Sequence, residues 1–233
     1  MYMYTKNLIK WIAKVSKSSI KSKNAFEYSN NAYADLYNMY KADDNIRAAS
    51  IKYYEDREKF NIKIKPIVNK YIKSVKTMFK NVDYDITYMG MSSYPKLNLP
   101  NDSDFDLGVL VKDFNTEKMF YLNKLLCENG YTFTKVTKNK GNPGGEAYRY
   151  SIMYNGVDCE IKIRNKDKSK TLIDMHTILN SLSKNESIFW TYHKYLVKEW
   201  SKKNDKYVYE LFKMIMFHKY LYKVQGAFLL IPG

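Results

Sequence analysis

Residues 104 to 111, Asp-Phe-Asp-Leu-Gly-Val-Leu-Val, set two carboxylates at the mouth of an apolar run. Such a run reads as a buried strand, and a buried strand needs neighbouring strands and a packed helix to cover it. The surrounding sequence supplies both. Tyr-Asp-Ile-Thr-Tyr-Met-Gly (84 to 90) is β-like, and 131 to 138 alternates as a strand. Residues 115 to 130 carry a helical pattern that Asn115 or Thr116 can cap and Gly130 can end. Between Ala147 and Arg164 an Asn155-Gly156 pair separates two alternating runs, the strongest short signal for a hairpin. Before this stretch the pattern is helical, with a break or kink expected at Pro66, and helices return after about residue 171. The expected architecture is therefore α+β. Three segments follow: a basic helical region 1–80, a core 81–170 built on a mixed sheet with packed helices, and a C-terminal helical region 171–233.

Asp104 and Asp106 lie two apart, so on a strand they project from one face. Two carboxylates converging on one point repel unless one takes a proton or a cation sits between them. A hard divalent ion with oxygen ligands, Mg²⁺ or Mn²⁺, suits such a place. The later run Val-Asp-Cys-Glu-Ile-Lys-Ile-Arg offers Asp158 and Glu160, again on one face, as sources of a third carboxylate. Three acids on adjacent strands form a two-ion pattern. Upstream, the strand ending at Gly90 runs into Ser92 and Ser93, where backbone amides and hydroxyls can seat a phosphate.

Charge points to the class of partner. The 39 Lys and Arg against 24 Asp and Glu leave +15, an excess that suits a polyanion. Only four of the 39 are Arg, and the chain is crowded with Asn, Ile and Tyr, which share A/T-rich codons with Lys. The distribution is therefore more informative than the total. Residues 1–80 carry +10, 81–170 only +1, and 171–233 carry +4. The near-neutral middle holds Asp102, Asp104 and Asp106 within five residues. The N-terminus interleaves Leu8, Ile9, Ile12 and Val15 with Lys6, Lys10, Lys14 and Lys17, which reads as an amphipathic helix packed on the domain. Two cysteines, Cys127 and Cys159, can neither build a disulfide framework nor fill a four-cysteine zinc site. The expected setting is reducing and intracellular, cytoplasmic or nuclear, with no membrane span because no run of apolar residues is long enough.

The stretch Tyr-Met-Gly-Met-Ser-Ser-Tyr-Pro-Lys-Leu-Asn-Leu-Pro-Asn-Asp-Ser-Asp-Phe-Asp-Leu-Gly-Val-Leu-Val (88 to 111) resembles the signature of the DNA polymerase β-like nucleotidyltransferase superfamily. That signature is a strand, a Gly-Ser turn, a spacer, and Asp-x-Asp leading a second strand; Ser103 to Leu107 is the close match. Cys-Glu-Ile-Lys-Ile-Arg-Asn (159 to 165) is similar to the third-carboxylate strand of non-templated RNA nucleotidyltransferases of the poly(A) polymerase kind. Met91 intervenes between Gly90 and Ser92, and the third acid is Glu where Asp is commoner.

The resemblance implies a nucleotidyltransferase-type fold over residues 84 to 165 and transfer of a nucleoside monophosphate from an NTP to an acceptor hydroxyl, with pyrophosphate released. It implies two ions held by Asp104, Asp106 and Glu160, with Asp158 as the alternative third ligand. Gly90, Ser92 and Ser93 would contact the nucleotide, ATP among the candidates, and Lys194 or Lys198 on the C-terminal helices would hold the triphosphate. The acceptor expected from the basic flanks is a nucleic-acid 3′ end, RNA first. The alternatives are a small molecule, a protein hydroxyl or a second nucleotide, as in oligoadenylate or cyclic-dinucleotide synthesis, and a catalytically inactive nucleic-acid-binding relative. The remaining candidates read as structural. Gly141 to Gly145 lacks the Gly-Lys-Ser/Thr of a phosphate-binding loop, and His176, His193 and His218 have no metal-ligand spacing. Cys159 should face the buried side of its strand, between Asp158 and Glu160, whose charges disfavour a thiolate.

Overall fold

Five strands, β1 (Tyr84–Tyr88), β2 (Phe105–Val111), β3 (Thr132–Thr137), β4 (Ala147–Tyr154) and β5 (Val157–Asn165), form one mixed sheet in the order β1-β2-β5-β4-β3. The computed structural model describes residues 2–17, 25–88, 104–137, 146–169 and 182–225. Six helices accompany the strands among these residues: α1 (Tyr2–Lys17), α2 (Ala25–Lys41), α3 (Asp44–Met78), α4 (Thr116–Glu128), α5 (Lys184–Lys203) and α6 (Lys206–Gln225). The fold is α+β. Two compact units divide the chain, one of Met1–Asp56 with Ser181–Gly233 and the other of Arg57–Asn180. These units cut the chain at other places than the charge-based segments do.

In the unit of Arg57–Asn180, β2 pairs antiparallel with β1 and parallel with β5, so the apolar run of residues 105 to 111 is flanked on both sides and buried throughout. β4 and β5 form the hairpin expected at Asn155-Gly156, whose φ values of 48° and 79° give the two left-handed residues that a tight type I′ turn requires. Register then sorts the side chains. On one face stand the rows Tyr150–Ile161–Leu107 and Ile152–Cys159–Phe105. Of these residues all but Ile152, which is half-buried, are buried. On the other face stand Ser151–Glu160–Asp106 and Arg149–Lys162–Gly108.

Helices belonging to this unit complete its core. α4 buries Met119, Leu122 and Leu126, and its Asn123 Oδ1 accepts a hydrogen bond of 3.0 Å from the Tyr150 hydroxyl. Its N-cap is Asn115, whose side chain accepts from the Lys118 amide at 2.8 Å, and it ends at Asn129 before Gly130, whose φ is 81°. The later part of α3 buries Tyr71 and Val75, Phe79 just past its end is buried too, and the Tyr71 ring meets Phe105 edge-on at 5.9 Å. The break expected at Pro66 is absent, because α3 continues through it. Pro66 is exposed and so is Ile62, the residue whose carbonyl loses its amide partner; water can satisfy that carbonyl.

The other unit is helical among its described residues. α1 buries Leu8, Ile12 and Val15 as the sequence pattern expects, but Ile9 is exposed and Trp11 is buried in its stead, its indole donating to the Ala32 carbonyl at 2.8 Å. His193 on α5 is wholly buried against Tyr40 and Phe189, with its Nδ1 2.8 Å from the Phe189 carbonyl. Burial lowers its pKa to about 4, so it is a neutral core residue and not a ligand. A histidine depressed in the folded state contributes stability above its unfolded pKa of 6.5 and loses it as pH falls toward 4. Denaturant unfolding between pH 7 and pH 4.5 should show stability falling with acid by about 1.4 kcal/mol per pH unit from this residue, and His193→Gln should remove that part of the slope. An unchanged slope in the variant would assign the acid sensitivity elsewhere.

Candidate metal centre

Asp106 and Glu160 are brought together by the parallel pairing of β2 with β5, which places them directly opposite each other on one face. Asp104, one step before β2, comes to the same point by the two-residue period of the chain. One carboxylate oxygen from each of the three lies within 4.8 Å of the others. Asp106 and Glu160 are only 8% and 7% exposed, while Asp104 is half-buried. Three oxygen donors of one charge at that separation fit a hard divalent ion.

The same face holds two cations that the sequence reading did not assign to the site. Lys162 Nζ is 2.6 Å from Asp106 Oδ1 and 3.1 Å from Glu160 Oε2. Arg149 on β4 donates to the same Glu160 oxygen at 2.5 Å. The signal was available. Lys162 stands two residues after Glu160, the spacing that picks out Asp104 with Asp106, and Arg149 falls at the matching step of the hairpin. Glu160 is thus paired with both cations, and Asp106 with Lys162.

Electrostatics separates the two acids. Burial pushes Asp106 up to about 7, with Asp104 adding to the rise and Lys162 opposing it. Burial acts on Glu160 in the same sense, but Lys162 and Arg149 outweigh it and hold its pKa below the usual carboxylate value. Near neutrality Glu160 is ionised, and burial holds Asp106 much nearer to its protonated form than an ordinary Asp.

Asp158 lies on the same face of β5 as Glu160 but is exposed and outside the group of three. Its carboxyl is raised by burial and by the nearby charges of Asp104 and Glu160. Cys159 is fully buried on the opposite face, and its thiol is pushed up to about 12 by burial, Asp158 and Asp104, so it is no nucleophile. Both cysteines are free. Gly90, Ser92 and Ser93 lie outside the described residues, as do His176 and the loop Gly141 to Gly145. Lys194 and Lys198 are half-buried on α5, in the unit that does not contain the acids. No helix among the described residues is long and apolar enough to cross a membrane.

No family model matches the chain, and no curated protein is similar enough in sequence to match it. Solved structures do resemble it. The conserved protein GrpB from Enterococcus faecalis is 18% identical, with 75% of this chain and 93% of that one covered at a TM-score of 0.45. The Cid1 poly(U) polymerase with MgGTP bound is 15% identical, with 68% of this chain and 48% of that one covered at 0.42. The GLD-2/RNP-8 complex gives 12% identity, 77% and 68% coverage, and 0.38. The chain spans about half the length of the Cid1 structures it resembles. These identities and TM-scores are low, and no property of those proteins is carried to this chain by them.

Proposed function

We propose that the protein is a metal-dependent nucleotidyltransferase, moving a nucleoside monophosphate from an NTP to an acceptor hydroxyl, with an RNA 3′ end as the acceptor. The observation that carries this reading is the meeting of Asp104, Asp106 and Glu160 within 4.8 Å on adjacent parallel strands. Those residues are the ones that the resemblance to polymerase β-like enzymes selects. Divalent metal bound there would polarise the α-phosphate, neutralise the triphosphate and make the acceptor hydroxyl more acidic. Asp104 and Asp106 would hold the metal on the triphosphate, and Glu160 would stand with them on the acceptor side. The rigid sheet fixes all three, so the chain contributes chiefly positioning and charge. The acceptor hydroxyl gives its proton to solvent, its oxygen bonds to the α-phosphorus, the bond to the bridging oxygen breaks, and pyrophosphate leaves. On this reading residues 81–170 are the catalytic core, and the flanks, at +10 and +4, grip phosphates. Gly90, Ser92, Ser93, Lys194 and Lys198 are proposed nucleotide contacts.

A second reading has an observation of its own. Lys162 and Arg149 already partner two of the three acids, which suits an inactive relative that binds nucleic acid without turnover. One assay separates the two. Labelled NTPs, Mg²⁺ or Mn²⁺ and a short RNA or DNA should give extended strands with the natural chain, and extension should fall at least about a thousandfold in Asp104→Asn. Absent extension, or extension undiminished in the variant, would overturn the first reading. Salt-sensitive binding without turnover supports the second, and soluble oligonucleotides or labelled protein would move the acceptor away from RNA.

A further inference from the structure

The two rows on the polar face carry opposite charge. Ser151–Glu160–Asp106 is the acidic row, and Arg149–Lys162–Gly108 beside it is the basic one. Gly108 stands level with Lys162 on β2 and offers no side chain there. The Lys162 arm can therefore cross β2 diagonally toward Asp106, a distance that long side chains span between neighbouring strands. Its ammonium ends at 2.6 Å from Asp106 and 3.1 Å from Glu160, both at ion-pair distance. With only 14% of its side chain exposed, Lys162 is held in that place by packing as well as by charge.

We infer that Lys162 is the resident cation of this centre, filling the place of an ion that would touch both Asp106 and Glu160, so the site takes one divalent ion, held by Asp104 and Asp106, in place of two. The inference deepens the proposed nucleotidyl transfer and rests on it. An ammonium and a divalent ion cannot both sit in contact with the same two carboxylates without strong repulsion. Charge supports the same count. Arg149 and Lys162 leave the three acids at most one net negative charge, which a single divalent ion already exceeds. Lys162 is in this sense a positioning residue: it fixes Asp106 and Glu160 and sets the number of ions.

The test counts Mn²⁺ bound to the full chain, from the electron paramagnetic signal of free Mn²⁺ during titration. The natural chain should bind one ion, and Lys162→Met should bind two, or bind the first at least about tenfold more tightly. Lys162→Arg, which keeps the charge, should remain at one. Two ions on the natural chain overturn the inference, as does no ion at all, or a Lys162→Met that behaves like the natural chain. Should Lys162→Met fail to fold by circular dichroism, the count on the natural chain and on Lys162→Arg decides alone. Amine-reactive labelling read by mass spectrometry supplies an independent measurement. Lys162 should stay protected at saturating Mn²⁺, and labelling that appears on Mn²⁺ addition would show that the ion displaces it, against the inference. Loss of strand extension with the ion count intact would instead sink the nucleotidyl-transfer reading and leave the count standing.

Discussion

Asp106→Asn should abolish nucleotidyl transfer and, in the same protein, remove the loss of stability that the buried carboxyl causes as pH rises. The first effect follows from removing an anionic oxygen where an ion is to be held, and a loss of at least about a thousandfold in rate is expected. The second follows from the buried carboxyl itself. Its folded pKa is about 7 against 3.8 for an ordinary Asp, so the folded state favours the protonated form. An acid raised in this way contributes stability below the unfolded pKa and loses it as pH rises through about 7. Between pH 4 and pH 7 the metal-free natural chain should therefore lose stability relative to the Asn variant at up to about 1.4 kcal/mol per pH unit, while both keep the opposite slope that His193 contributes. Glu160 does not cancel the effect, because its pKa is lowered and its contribution is lost only on the acid side of 4.5. Added Mg²⁺ or Mn²⁺ should restore stability to the natural chain above pH 7 and do little for the variant, since an ion that binds only the folded state stabilises it. Chemical denaturation across pH, with and without the ion, reads all of this. A stability difference between variant and natural chain that does not change with pH would show that Asp106 is not the titrating group.

Period-two alternation shows which side chains share a face, and it placed Asp104 with Asp106, and Asp158 with Glu160, on strands that the structure contains. It could not say which strand lies beside which. The parallel pairing of β2 with β5 joins residues far apart in sequence, and only that pairing puts Glu160 opposite Asp106 while leaving Asp158 outside the group. Lys162 and Arg149 were legible by the same alternation but were passed over, because a search for ligands selects acids and discards the bases between them. Pro66 shows the opposite limit. A local rule says that proline interrupts a helix, yet an exposed position lets solvent satisfy the freed carbonyl, and exposure is a property of the folded chain.

Glu160→Ala should be the most destabilising single change at this centre, and for a reason unrelated to catalysis. Glu160 Oε2 takes Arg149 at 2.5 Å and Lys162 at 3.1 Å, and its side chain is 9% exposed. Removing it leaves Arg149 without this carboxylate in a place only 22% exposed, and leaves Lys162 with Asp106 alone. Breaking a buried ion pair by deleting one member costs about 3–5 kcal/mol, and the partial exposure of Arg149 argues for the lower end. Arg164, buried on the same face with its pKa lowered to about 10 by burial and by Arg149, adds repulsion once the acid is gone. Among the described residues Asp104 makes no ion pair, so Asp104→Asn should change stability far less even though both variants lose transfer. The comparison separates two roles for acids a few ångströms apart: Glu160 anchors the cations that hold the sheet face together, while Asp104 serves an ion. Urea unfolding of the two variants at pH 7.5 gives the answer. Equal stability in Glu160→Ala and Asp104→Asn would mean that the Arg149 and Lys162 pairings contribute nothing to the fold, and with them would go the resident-cation account of the site.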